Sequence, residues 1–259
     1  KQKTAYEISL GLVGSEMCIR DSKPHLTIMS ENGSANCVVR AANSNDHVFN
    51  VNADNVTIKG FTVTGATSYW KAGIYLYNSN NCRIENVNAS NNDCGIFLWY
   101  SSNNIIANNT ASNNGFGGIY LDFSSNDNII ANNTVSSNNG HGICLSYSSN
   151  NTITNNSVSN NRYGIYLTHS SNNTIANNTV SSNNYYGIYL KSSSNSIIHL
   201  NNFIDNTDNV YSYAESTNIW NSTEQITYTY NGKQYTNYLG NYWSDYKALS
   251  LIHISEPTR

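Results

Sequence analysis

The sequence predicts an all-β chain wound into a parallel β-helix, and three observations carry that expectation. A tetrapeptide of the form Gly-Ile-aromatic-Leu returns six times, beginning at Gly73, Gly95, Gly118, Gly142, Gly164 and Gly187, with Cys144 the one non-aromatic exception. The copies lie 22, 23, 24, 22 and 23 residues apart. A second isoleucine follows the first by 10 or 11 residues, and a small or aliphatic residue stands five positions beyond it. A fixed period of this length marks a solenoid, in which each unit buries its apolar face only against the next.

Within the tetrapeptide, alternation puts Ile74 and Leu76 on one face and Tyr75 on the other, as a strand requires. A second strand carries Ile58, Ile84, Ile106, Ile130, Ile153, Ile175 and Ile198, and a third carries Val63, Ala89, Ala111, Val135, Val158, Val180 and Phe203. Three short extended pieces per coil, joined by Asn, Ser and Gly corners, make a three-sided helix with coils ~4.8 Å apart. Isoleucine then lies on isoleucine, and each burial stabilises by ~1.5 to 3 kcal/mol. The pairs Asn108-Asn109, Asn132-Asn133, Asn155-Asn156 and Asn177-Asn178 recur at one phase. Asparagine tolerates left-handed corners and its amides hydrogen-bond along a stack, so these pairs are expected to be structural. A leucine-rich repeat has a similar period, but Ser-Ser-Asn-Asn is poor helix material. The Gly-Gly-x-Gly-x-Asp text of calcium-binding rolls is missing.

Asn36–Ala41 and His47–Phe61 read as less regular first coils. After Asn206 the period fails, and Gln225–Tyr235 alternates around Asn231-Gly232, the signature of a hairpin that would shield the open edge of the last coil. The expected organisation is a β-helix over 23–206 and an irregular hairpin cap over 207–248. Asparagine supplies 48 of the residues from Lys23 to Ala248 and none of 1–22 or 249–259. The tail Leu249–Arg259, back-translated and read from the opposite strand, yields Leu12–Asp21, so one short DNA explains both ends. That DNA resembles a sequencing-library adapter, and both terminal segments are expected to be artefacts of assembly rather than parts of the fold.

Between those segments nine Lys or Arg face twelve Asp or Glu. So weak a charge, lacking a basic face, argues against nucleic acid and against a polybasic membrane patch. No apolar run approaches the ~20 residues of a membrane span. Cys37, Cys82, Cys94 and Cys144 show no CxxC and no tight framework, and are expected to be buried single thiols, with Cys82 and Cys94 on different sides of one coil.

The Asp54–Phe61 opening, the Gly-Ile-Tyr-Leu to Asn-Asn-Thr-Ile repeat and the closing Asn237–Tyr246 resemble the NosD-like, right-handed parallel β-helix repeat proteins, including archaeal-type surface proteins. The resemblance covers about Asn36 to Tyr246. It implies a right-handed helix and a secreted or cell-surface setting. It also implies a carbohydrate-related role more readily than any one reaction, since the wider group includes polysaccharide lyases, hydrolases and epimerases. The family takes its name from an accessory protein for copper-site maturation.

Fold is not function, so the chemistry must be sought in outward side chains. The outward positions of the Gly-Ile strand form a column of Tyr75, Phe97, Tyr120, Cys144, Tyr166 and Tyr189, and a second of Tyr77, Trp99, Asp122, Ser146, Thr168 and Lys191. Rings along a groove suit sugar faces, with Asp122, Lys191 and His169 near enough to take hydroxyls. The carbohydrate-binding set is therefore Tyr75, Phe97, Trp99, Tyr120, Asp122, Tyr166 and Tyr189, although β-propensity and cross-strand stacking also favour tyrosine there. For acid-base catalysis two carboxylates should flank one bond. Asp93 and Asp122 fall at opposite ends of their strands and Asp127 in a turn, so no catalytic residue is assigned and Asp122 is the one candidate. Candidate bases and cations for uronate chemistry, His141, Arg162 and Lys191, lie on separate coils. Copper would want clustered His, Cys or Met, and only His141, Cys144 and His169 come near one another. No cofactor or resident metal is expected. Sequons such as Asn108-Asn109-Thr110 and Asn221-Ser222-Thr223 permit glycosylation of an exported chain.

The expected function is a non-catalytic surface or secreted module that binds polysaccharide or cell-surface glycan. The alternatives are a β-helix carbohydrate-active enzyme and a copper-site accessory protein.

Overall fold

Three sheets of nine parallel strands each run along the computed structural model, which describes residues 6–7, 19–21, 24–213 and 215–245. The first sheet files Ile28, Ile58, Ile84, Ile106, Ile130, Ile153, Ile175 and Ile198 in register. The second files Val39, Val63, Ala89, Ala111, Val135, Val158, Val180, Phe203 and Trp243, and the third aligns Ile96 with both Ile74 and Ile119. These columns meet in one buried core. The segment 249–259 lies outside the described residues, as does most of 1–22. Within the latter, Tyr6–Glu7 and Ile19–Asp21 run parallel to Ile28–Met29 and Phe49–Val51.

Each asparagine pair divides its labour. The first member takes the left-handed corner, with φ of 58, 58, 57 and 59 at Asn108, Asn132, Asn155 and Asn177. The second points inward and joins a ladder. The Oδ1 of Asn133 accepts from the Asn109 backbone N–H at 2.9 Å and from the Asn109 amide at 3.1 Å, and the step repeats through Asn156, Asn178, Asn201 and Asn241. A second ladder climbs Asn114, Asn138, Asn161, Asn183 and Asn206, and a serine ladder runs from Ser79 through Ser101, Ser125 and Ser148 to Ser170. The buried peptide groups of the corners are thus satisfied. Cys82 occupies an asparagine position in a further ladder, where its Sγ accepts the Val56 N–H at 3.4 Å, while Cys94 faces outward.

The repeated glycine is forced by close approach. A methyl on Gly118 would run into the Val135 side chain and the Gly142 carbonyl 2.8 Å away.

Loss of the repeat text after Asn206 does not end the stacking. Asp208–Ser212 adds the last strand of the third sheet, Ile219 bridges Ile197 of the first, and Tyr242–Trp243 returns to the second. The hairpin, Ile226–Tyr230 with Lys233–Asn237, is an excursion inside that last coil, turned by Asn231 and Gly232 at φ 48 and 75. Its residues are largely exposed. Within the cap, the flanking Trp220 and Trp243 cover the end of the core, Trp243 stacking on Phe203 at 4.6 Å. Among the described residues, no helix is long and apolar enough to cross a membrane, which says nothing of a β-barrel.

Candidate functional site

The outer face of the third sheet carries both expected columns in register: Tyr75, Phe97, Tyr120, Cys144, Tyr166 and Tyr189, with Tyr77, Trp99 and Asp122 alongside. The first column is not an open ribbon. Phe97, Tyr120 and Cys144 are 1%, 8% and 1% exposed, and with Ala72 and Cys94 they form a second, smaller core outside the helix. Trp70 and Phe116, from the corners that lead into these strands, close over it. The Trp70 ring lies 5.5 Å from Phe97, 4.8 Å from Phe116 and 5.4 Å from Tyr120, and its backbone N–H is held by the Asp93 carboxylate at 2.7 Å. Small neighbours at Ala72, Cys94 and Gly117 leave a trough, and covering its rings removes apolar surface from water. Phe97 and Tyr120 therefore leave the set of rings that a ligand can reach. Removing the Tyr120 ring should cost about 3 kcal/mol or more, as for a buried aromatic. A urea midpoint for Tyr120→Ala close to that of the parent would contradict this burial.

Tyr75, Tyr166 and Tyr189 remain half-buried. Tyr166, Tyr189 and Tyr211 stack at 4.7 and 5.2 Å with planes 4° and 8° apart, so each ring covers its neighbour's face. Burial pushes the Tyr75 hydroxyl up to about 12 and the Tyr120 hydroxyl well above its ordinary range. Arg162 lies 4.7 Å above the Tyr185 ring.

The exposed rings stand one step further along the chain. Tyr100, Phe123, Tyr147 and His169 occupy the corner after this strand in four successive coils, with φ of 51, 45, 47 and 50. Trp99, Phe123, Tyr147 and His169 stack in file at 5.1, 6.0 and 4.6 Å, with planes 13°, 14° and 4° apart. Tyr147 is 51% exposed. A bulky residue in the left-handed region is an outlier that costs ~1 to 2 kcal/mol. The neighbouring coils use Asn78 and Ser192 at this corner instead. Sequence reasoning singled out His169 and Trp99 but passed over Tyr100, Phe123 and Tyr147. Their signal is a ring two residues after the repeated Leu, as in Leu145-Ser146-Tyr147.

Beside this ridge Asp122 is 7% exposed. Its carboxylate accepts the Phe123 N–H at 2.9 Å and bonds Ser146, and burial raises it above the usual carboxylate range. Thr168 and Lys191 continue the line, Lys191 exposed.

His141 is wedged against Phe116, Tyr163 and Tyr166, with ring centroids 5.5, 5.2 and 4.5 Å away, and among the described residues its Nδ1 has no hydrogen-bond partner. Burial, helped by Arg162, lowers it from 6.5 to about 4. The folded value lies below the unfolded one, so the unfolded chain takes the proton first as pH falls. This contribution to stability is whole above about 6.5 and is lost progressively towards about 4. His47, also lowered to about 4 by burial, acts in the same sense, whereas Asp93 and Asp122, raised by burial, oppose it. His141→Phe should therefore flatten part of the fall in urea midpoint between pH 7 and pH 5. An unchanged slope would show that His141 ionises freely in the folded chain.

A sequence model of the family described as periplasmic copper-binding protein (NosD) matches residues 26–248. No curated protein matches the chain. Among solved structures, the periplasmic alginate epimerase AlgG is similar at 20% identity and a TM-score of 0.63, over 75% of this chain and 49% of its own. The A-module of the mannuronan C-5 epimerase AlgE6 from Azotobacter vinelandii is similar at 17% and 0.58, over 92% of this chain and 74% of its own. Pectate lyase Pel9A is similar at 16% and 0.60, over 83% and 63%. The chain thus spans about half the length of the periplasmic epimerase, and at these identities the likeness is one of fold. The donors present do not fit the copper of the family description. Cys144 is a fully buried thiol pushed up by its surroundings, and His169 stacks on Tyr147 at the ridge. Among the described residues no three His, Cys, Asp or Glu are grouped to hold a metal. The match runs from Leu26 through the clear coils to the capping segment, most of the chain, and by it the chain belongs to the NosD family.

Proposed function

We propose that the chain is a non-catalytic module of an exported or cell-surface protein that binds a linear polysaccharide along the corner ridge. The observation that carries this reading is the ring placed at a left-handed corner in four successive coils, from Tyr100 to His169. Strain repeated at one phase of the outer surface points to a use for that surface. The ridge runs along the axis beside Asp122, Ser146, Thr168 and Lys191, so a ligand lying on it meets apolar ring edges on one side and hydrogen-bonding groups on the other. Tyr75, Tyr166 and Tyr189 flank this line. The epimerases and the lyase that share the coil act, by their names, on alginate, mannuronan and pectate, which favours an extended glycan as the ligand. A glycan array of the parent against Tyr147→Asn tests the proposal: it predicts binding of at least one linear glycan and loss of that binding in the variant. No bound glycan, or binding untouched by the change, would end it.

A second reading, a carbohydrate-active enzyme, is favoured by the raised carboxyl of Asp122 beside the same ridge. Product release or unsaturated-uronate absorbance from a polysaccharide panel, abolished in Asp122→Asn, would select it. The assignment of 1–22 and 249–259 to a library adapter is likewise a proposal, and the flanking genomic DNA tests it.

A further inference from the structure

The second sheet presents to solvent a surface unlike either of the others. Thr110, Thr134, Ser157 and Thr179 lie in register, one per coil, on the outward side of the strand, Thr134 and Ser157 exposed and Thr110 and Thr179 half-buried. Two residues on, Ser136, Ser159 and Ser181 form a second file. Strand geometry sets the repeats of this array at ~4.8 Å along the axis and ~6.7 Å across it.

Three features set the array apart from an ordinary polar sheet face. The first is that the hydroxyls of its first file are unspent, although Ser159 in the second file accepts the Asn160 amide at 3.4 Å. Among the described residues those of Thr110, Thr134, Ser157 and Thr179 have no hydrogen-bond partner, whereas nearer the N-terminal end Thr62 donates to the Ser34 carbonyl at 2.7 Å and Ser90 bonds Ser112 at 2.9 Å. The second is the absence of charge and of rings: the stretches 107–114, 131–139, 154–161 and 176–184 hold neither. The third is rigidity. The inner asparagine ladders run up both edges of the face, pinning each rung through Asn133 and Asn156 on one side and Asn138 and Asn161 on the other. Threonine side chains, stiff at χ1, then hold their hydroxyls and methyls at a fixed bearing.

A rigid, neutral grid of hydroxyls, one whole file of them free, with two fixed repeats complements a surface that is itself a grid of donors and acceptors. A glycan chain is a poorer match, because its C–H faces call for aromatic rings, which this face lacks, and an ionised glycan calls for cations. We propose that this face binds ice, the threonine and serine hydroxyls joining the outermost oxygens of the crystal while the threonine methyls exclude disordered water. The oxygen repeats on a prism face of ice are comparable with those of the array in both directions. The proposal concerns a different sheet from the ridge and stands or falls separately from glycan binding.

The test is nanolitre osmometry on the full chain, with ice as the probe. The parent is expected to facet a growing ice crystal and to depress freezing below melting, and to be retained in a growing ice hemisphere. Thr134→Tyr, which places a ring over the grid at an exposed position that tolerates aromatics in a strand, should abolish all three effects. Ser157→Tyr repeats the test should the first variant not fold by circular dichroism. Ile129→Tyr, at an exposed position on the first sheet, should retain them. Round crystals with the parent would overturn the proposal. So would equal loss in Ile129→Tyr, or pull-down by crystalline chitin or cellulose, lost in Thr134→Tyr, without any effect on ice.

Discussion

Asn133→Ala is expected to lower the stability of the chain by roughly 3 to 6 kcal/mol, taking about 1 to 3 kcal/mol for each buried group left without a partner. Four hydrogen bonds pass through this one amide. Its oxygen accepts the backbone and side-chain N–H groups of Asn109, and its nitrogen donates to the Ile106 carbonyl and to Asn156 Oδ1, both at 2.9 Å. Alanine offers none of these, and the corner is too tightly closed for water to replace them, Asn133 being 1% exposed. Because coils contact only their neighbours, the defect would divide the solenoid into two weakly coupled halves. Urea unfolding should then lose cooperativity as well as midpoint. Asn132→Gly, at the adjacent exposed position with φ 58, is the matched control and should stay within about 0.5 kcal/mol of the parent. Equal effects in the two variants would mean that the ladder does not hold the corners.

Tyr147→Asn is expected to abolish glycan binding at a cost in stability of no more than about 2 kcal/mol. Asparagine takes the left-handed corner without strain, as it does at Asn78. The change should return ~1 kcal/mol of backbone strain and forfeit stacking on Phe123 and His169 of ~0.5 to 1.5 kcal/mol per pair. The strain returned offsets part of the ~1 to 3 kcal/mol that the two pairs supply together, so a fall in stability well beyond about 2 kcal/mol would show that the ring is there for packing. Retained binding would show that the ridge is not the ligand track. The combination of lost binding and intact folding is the one that identifies a corner strained for use.

The fold was legible because its determinants repeat. An isoleucine at constant phase names an interior file, and an Asn-Asn pair at constant phase names a corner. The text does not say which asparagine turns and which bonds, and only the geometry separates Asn132 from Asn133. The site was less legible, for two physical reasons. Trp70 has no ring at its phase in the other clear coils and Phe116 shares its phase only with the exposed Tyr185, so nothing in the period announces that they fold over Phe97 and Tyr120 and convert an outward column into a covered one. The corner rings change identity from Tyr100 to Phe123, Tyr147 and His169. A two-residue alternation assigns faces only within strands and is silent about a residue that has already left one. The capping tryptophans escaped notice for a related reason. The hairpin dominates the closing text, while Trp220 and Trp243, which cover the core, stand on either side of it.

The last coil shows how much chain one corner can absorb. Where the preceding coils pass from the first sheet to the second by a short turn, this one leaves after Ile219 and rejoins at Tyr242. The departing and returning strands are tied at the neck by the Ser222 N–H to the Leu239 carbonyl at 2.8 Å and by the Leu239 N–H to the Ser222 hydroxyl at 3.0 Å. A vertex closed in this way is a natural splice point. A foreign peptide or small domain whose ends lie close together, grafted between Asn231 and Gly232, would be carried outboard of the prism and leave its register undisturbed.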